Sequence, residues 1–554
     1  MTGVQDHPEP PALAAVACLW RAAGLPPEAL DTLHLPGSGP VLPSSFDVAT
    51  AAQASIGAAA LAAAELGHLR SGHGQPGGLG ASLRQRLSVD RTHAALECTA
   101  HFSIDGQVPD MWDKLSGLYA CGAAVGQPGF VRLHANFAHH RDGALRLLGL
   151  PSGPATERAA VTTALGNWPA ETFEQAAADA GLVVAAVRSF AQWDAHPQAH
   201  ALAGQPVVSI TPIGGADEAV HGRADAALHA SAGGSAGGFA GGLAGGSAGG
   251  STGGFADFPS PALAAPLRWP AAPGDARPLA GLRVLDLTRI LAGPVAGRCL
   301  AAYGADVMMI NGPHLPNIGA IADMSRGKLS TLIDLRDAAG RQQLAALADS
   351  AQVFLQGYRP GALAGQGFGA PALAARRPGI VVASLSAYGP LGPWAGRRGF
   401  DSLVQAATGF NLAEAQAAGS AKPQAMPMPI LDYAAGHLLA FGISAALWRQ
   451  ATQGGSWQVQ VSLAGVGLWL RSLGRVAAGV AAGQPPDIEP WLEDSVCGFG
   501  GQHAGQHGDP VSPQTRATAT LRAVRHAAVF SVTPARYARL SMPPGSHPPV
   551  WPVA

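Results

Sequence analysis

The chain has 554 residues, 47% apolar and only 13% charged, with a formal net charge of -1. This length suggests roughly three domains, the apolar content excludes a wholly disordered chain, and the charge balance provides no field for nucleic acid or an anionic membrane. Cys18, Cys98, Cys121, Cys299 and Cys497 form no C-x-x-C pair, which excludes a disulfide framework or zinc knuckle and fits a reducing compartment.

The acidic, Pro-rich run Asp6 to Pro11 lacks the basic and apolar regions of a signal peptide, so a cytoplasmic protein is expected. Residues 1–43 read as an N-terminal extension. Val48 to Glu65 is charge-free until its end, but it is mostly alanine with Thr50, Gln53 and Ser55, which predicts a buried helix rather than a membrane span. Trp112, Trp168 and Trp193 are expected as core or interface anchors. His134, His139 and His140 match no metal-ligand spacing and have no carboxylate among them, so satisfied or surface histidines are expected and no metal is assigned. Residues 44–213 read as a half resembling a small α+β domain.

Residues 214–277 centre on SAGGSAGGFAGGLAGGSAGGSTGG, where glycine at such density costs too much backbone entropy to hold one conformation and predicts a flexible linker. Gly233–Gly237 and Gly245–Gly249 fit G-x-S-x-G by accident, because a nucleophile elbow needs a strand before the serine and a helix after it. Gly365–Ala370 resembles a dinucleotide fingerprint but follows a helical pattern rather than a strand.

After the linker, Leu282–Leu287, Asp306–Ile310, Thr331–Leu335, Val353–Gln356 and Ile380–Ser386 are strand-like runs. They alternate with helical stretches, one opening near Pro294. This pattern predicts α/β structure: a Rossmann-like, mostly parallel sheet with helices on both faces over residues 278–480, beside the smaller α+β part and a C-terminal segment, 481–554. An internal echo adds a partly duplicated or permuted arrangement. Asp47 and Asp432 each stand at the start of an apolar helix with a glycine ten residues later, Gly57 and Gly442, and each helix is followed by a Gln-containing strand-type run.

From residue 279 to 463 the run PLAGLRVLDLTRILAGPVAGRCLAAYGADVMMI, then GKLSTLIDLRDAAG, VFLQGYRPGAL, GFDSLVQAATGF and LDYAAGHLLAFGISAAL, resembles the CaiB/BaiF-type, family III CoA-transferases. Gly181–Gln198 and Val524–Pro549 are similar, more weakly, to later segments of that family, which places small-domain material ahead of the Rossmann-like part. The resemblance implies acyl-CoA and a small carboxylic acid as substrates, no further cofactor, and a homodimer. It makes Asp432 the catalytic acyl acceptor and assigns CoA contacts to Arg289, Ile290, Leu291, Ala292, Tyr358 and Arg398.

The chemistry asks for one carboxylate in a dry pocket, because water would destroy its anhydride and thioester intermediates. Asp432 follows an apolar run and opens an apolar helix, where the helix dipole favours an anion, although an aspartate there also suits an N-cap. For Asp47 the cap is the expected role. Two departures stand out: Asn311–His314 and Gly365 replace positions where the family has cations, and Phe400 replaces the histidine of the racemases in the same superfamily. The competing readings are an acyl-CoA racemase, disfavoured because Phe400 cannot transfer a proton, and a non-catalytic CoA-binding scaffold.

Overall fold

Strands that are apolar on both faces must be covered by helices on both faces, and the runs after residue 280 do this. The computed structural model describes residues 11–71, 84–214, 269, 274–476, 480, 485–500 and 517–552. The central sheet comprises β1 (Ser209–Pro212), β2 (Arg283–Leu287), β3 (Asp306–Asn311), β4 (Leu329–Leu332), β5 (Val353–Gln356), β6 (Val381–Ser386) and β7 (Trp457–Ser462). Their spatial order is β4-β3-β2-β5-β6-β7-β1, parallel throughout except for the β7–β1 pair. Chain direction across the sheet reverses between β2 and β5, and open α/β sheets bind ligands beyond the carboxyl ends of the strands at such a point. The expected α/β class is thus present.

Six helices frame the argument: α1 (Pro11–Ala23), α2 (Val48–Arg70), α3 (Ala138–Leu147), α4 (Ala292–Ala302), α5 (Asp401–Ala407) and α6 (Ile430–Gln453). Helices α2 and α6 lie side by side in the most extensive helix contact of the molecule, and α4 packs on α6. By length and composition both α2 and α6 could cross a membrane, yet their apolar stretches are wholly buried within the protein. Small residues permit this closeness: a Cβ on Gly442 would stand 2.6 Å from Val459 and 2.7 Å from Val208, so glycine is what lets α6 settle on β7.

The linear partition expected from the sequence is overturned at both ends. Residues 11–23 are no appendage, since α1 buries Ala12, Ala15, Val16, Leu19, Trp20 and Ala23 along one helical stripe and sets Trp20 6.3 Å from Phe441 of α6. The C-terminal segment joins the first half. Ala528–Phe530 pairs with Leu87–Val89, and Ala517–Val524 pairs with Phe102–Ile104. The Gly-rich centre of the expected linker, with its two G-x-S-x-G matches, lies outside the described residues, while Trp269 and Arg277 towards its end are buried.

The tryptophans divide. Trp193 is fully buried and Trp168 packs 5.4 Å from Phe173, but Trp112, expected as an anchor, is 50% exposed beneath Arg132.

Buried charges tie the segments together. Glu97, the last residue of the short helix Arg91–Glu97, accepts from His526 at 2.9 Å and from the backbone N–H of Ala527 at 2.8 Å. His526 also meets the Tyr303 hydroxyl at 2.9 Å, and Arg298 stands 3.5 Å from Glu97 while pairing with Asp323. Burial works to raise the Glu97 pKa, but His526, His437 and Arg298 outweigh it and hold the carboxyl well below its ordinary range.

Candidate active site

The turn leaving β2 is fixed from below. Asp286 accepts from the Thr288 backbone N–H at 3.0 Å and from its hydroxyl, while Lys328 donates to Asp286 at 2.8 Å and to the Pro294 carbonyl at 2.8 Å. Both charges are fully buried, a pairing that tolerates no missing partner. Above them Ile290 is held at φ 77°, a left-handed conformation that costs a β-branched residue roughly 1–3 kcal/mol. Such strain persists only where surrounding structure dictates it, and here it shapes the loop 289–292 at the start of α4.

That loop forms one wall of a cavity of about 410 Å³ at the switch point between β2 and β5. Arg289, Ile290, Leu291, Ala292, Tyr358, Arg398 and Asp432, the residues singled out from the sequence, all line it. The opposite wall comes from before the linker: Phe137, His139 and His140 of the segment entering α3. Two distant parts of the chain therefore enclose one space.

Asp432 is the third residue of α6 and does not cap it. The capping role falls to Asp401 at the start of α5, whose carboxylate accepts the backbone N–H groups of Leu431 at 2.8 Å and Asp432 at 3.1 Å. Among the described residues nothing donates to the Asp432 carboxylate, which is 6% exposed and faces the cavity. Burial pushes its pKa well above the usual carboxylate value and the neighbouring Asp401 pushes it further. Burial likewise raises Asp401, to about 6, against the hydrogen bonds from Asp432, Gln405 and Leu431 and the field of Arg132. A neighbouring glycine brings the nucleophile's helix to the loop: a Cβ on Gly436 would run into the Ala292 carbonyl oxygen.

The cations missing at 311–314 and 365 are supplied elsewhere. Arg359 and Arg397 join Arg289 and Arg398 on the cavity wall. Arg397 is 3.5 Å from Glu174, whereas among the described residues Arg289, Arg359 and Arg398 have no carboxylate within ion-pair range. Arg289 donates to the Pro316 carbonyl and Arg398 to that of Gly181 at 3.0 Å. Burial lowers the pKa of Arg289 and raises that of Tyr358. An array of guanidiniums without carboxylates suits a phosphorylated or carboxylated ligand.

The histidines differ from expectation. His139 is exposed, but His134 and His140 are buried, Nδ1 of His134 and both ring nitrogens of His140 lacking any partner. His134 stacks on Phe400 at 4.2 Å. Sequence reasoning missed His139, His140, Arg359 and Arg397 as cavity residues; the only signal was an adjacent histidine pair at a helix start.

At the level of class, this is an α/β fold with an unpaired buried acid at the switch point of its sheet, facing arginines. Residues 279–490 match the family model for CoA-transferase family III. A Probable fatty acyl-CoA transferase of Mycobacterium tuberculosis is 36% identical over 211 residues, covering 36% of this chain and 53% of that protein. The alpha subunit of succinyl-CoA–L-malate CoA-transferase from Chloroflexus aurantiacus is 28% identical over 218 residues, covering 37% and 50%. The chain thus spans about half the length of these curated relatives. A crystal structure of a hypothetical protein from Mycobacterium tuberculosis aligns at 34% identity over 37% of this chain and 58% of that one, with a TM-score of 0.31.

Proposed function

We propose that the protein is a CoA-transferase, moving CoA from an acyl-CoA to a carboxylic acid through covalent intermediates on Asp432. The observation that carries this reading is the Asp432 carboxylate, which is buried and, among the described residues, unbonded and the sole acid lining a cavity otherwise rich in arginine. The carboxylate attacks the thioester carbonyl carbon, the C–S bond breaks, and CoA leaves as thiolate from an aspartyl–acyl anhydride. The thiolate then attacks the aspartyl carbonyl, releasing the first acid as a carboxylate and leaving an aspartyl-CoA thioester. A second carboxylate enters, and the two steps run in reverse to give the new acyl-CoA.

Each part of the site serves that cycle. Near-complete burial of Asp432 keeps water from the anhydride. Confinement of both reactants in one cavity supplies an effective molarity that in favourable cases reaches roughly 10⁵–10⁸ M. Arg289, Arg359 and Arg398 offer donors to CoA phosphates, and the 289–292 loop offers backbone N–H groups at the start of α4. The cycle consumes no cofactor beyond the thioester. Racemisation is disfavoured because Phe400 offers no proton where the racemases have histidine. The names of the relatives, fatty acyl in one case and succinyl and malate in another, support CoA exchange without selecting the acid.

The test is incubation with a panel of acyl-CoAs followed by hydroxylamine and peptide mass spectrometry. An aspartyl hydroxamate at Asp432 is the expected product. Turnover with Asp432 unmodified, or CoA binding with no acyl exchange by any thioester, overturns the proposal, the latter in favour of a binding scaffold.

A further inference from the structure

We infer that His140, flanked by His139, holds the carboxylate of the acid that exchanges at Asp432. This rests on the CoA-transferase reading and goes beyond it, because both histidines lie outside the family-matched residues 279–490. His140 stands in the first turn of α3, is 4% exposed, and lines the same cavity as Asp432. Neither of its ring nitrogens has a hydrogen-bond partner. Its aromatic neighbours are the rings of His139 at 4.1 Å, Phe137 at 5.6 Å, and Phe400 and His134, both at 6.4 Å, and neither phenyl ring carries a polar atom. Buried polar groups without partners are rare in native folds and call for an explanation. A ligand oxygen in the cavity supplies one.

The reaction itself defines that oxygen. In every cycle a free carboxylate must rest beside the aspartyl carbonyl, first as the departing acid and then as the attacking one. A carboxylate taken into a dry site gives up its hydration and needs hydrogen-bond donors in place of water. An imidazole that stays neutral is suited to the task, since the attack moves no proton: the carboxylate oxygen bonds to the aspartyl carbon and CoA departs as thiolate. Burial, with His139, His134, Arg398 and Arg289 adding to it, pushes the His140 pKa down to about 3. The ring therefore offers a fixed N–H at physiological pH and takes up no charge. Geometry links it to the nucleophile as well: the His140 ring meets that of Phe400 edge-on at 6.4 Å, and the next residue, Asp401, accepts the backbone N–H of Asp432.

Full-length wild type, His140→Phe and His140→Gln are compared in exchange between acetyl-CoA and either succinate or butyrate, after circular dichroism has established folding. His140→Phe is expected to raise the KM of the accepting acid by about tenfold or more, the loss of one hydrogen bond to a charged group, while the KM for acetyl-CoA stays within about twofold. His140→Gln, which keeps a donor, recovers most of the loss. An acid KM unchanged in folded His140→Phe overturns the assignment. Should wild type exchange neither acid, the CoA-transferase reading fails for these substrates, and the histidine is judged separately by titrating ¹³C-histidine-labelled protein with succinate and butyrate. A shift of the His140 ring resonance, identified by its absence in His140→Gln, supports the assignment; no shift overturns it.

Discussion

Helices α2 and α6 have almost the same length, 23 and 24 residues, the same apolar character and an aspartate at the start, and they pack against each other. Their aspartates nevertheless have opposite fates. Asp47 is spent on structure: it accepts from the Thr50 backbone at 3.0 Å and hydroxyl at 2.8 Å and pairs with Arg91. Asp432 is left unspent, because Asp401 reaches in from α5 to take the N–H groups that an N-cap would satisfy. The lesson is that a residue freed from local duty is the one available for chemistry, and that freedom here is provided by a second acid.

The contrast can be broken at several points. Removing the unspent acid should do most: Asp432→Ala is expected to lower acyl exchange by on the order of 10³-fold or more, with a thermal midpoint equal to or above wild type because an unpaired buried carboxyl is gone. Retained turnover in that variant would end the contrast. Next in size, Glu97→Gln cuts the charged seam between the α2 and α6 sides and should cost about 3 kcal/mol in denaturant unfolding, leaving buried Arg298 and His526 short of a partner. Asp47→Ala should cost about 2 kcal/mol through loss of the cap and of the Arg91 pair, with exchange activity within about twofold of wild type.

The smallest effect is also the most diagnostic. Asp401 and Asp432 both hold their protons to higher pH in the folded chain than in the unfolded one. Between an ordinary aspartate value of 3.8 and the Asp401 value of about 6 the native state binds more protons, so stability should fall as pH rises through that window. Asp432→Asn removes one of the two acids with raised pKa, and its stability profile from pH 4 to pH 8, measured by thermal unfolding, should be flatter than that of wild type. Equal slopes would mean that Asp432 does not hold its proton to higher pH in the folded chain.

Much of the central sheet was legible because strands buried on both faces must be apolar throughout, and Val284, Leu285, Val353, Phe354, Val381 and Val382 announce that without reference to partners. The cavity wall formed by residues 289–292 was legible from its place after the first such strand. Residues such as His140 and Arg359 were not, since nothing local distinguishes a buried unpaired imidazole from a surface one; pairing depends on what other segments bring. The role of Asp401 was hidden for the same reason, its hydrogen-bond partners being about thirty residues away in sequence.

By itself the sequence determined the α/β class, the parallel sheet and the carboxylate placed at a helix start, because periodicity and turn chemistry act over a few residues. Only the tertiary structure decided that the α1 segment and the C-terminal strands join the core, that the wall facing Asp432 comes from before the Gly-rich stretch, and that Asp432 leaves the capping of its helix to Asp401. Those outcomes depend on burial and on which distant groups meet, and free energies of desolvation and pairing are properties of the assembled fold.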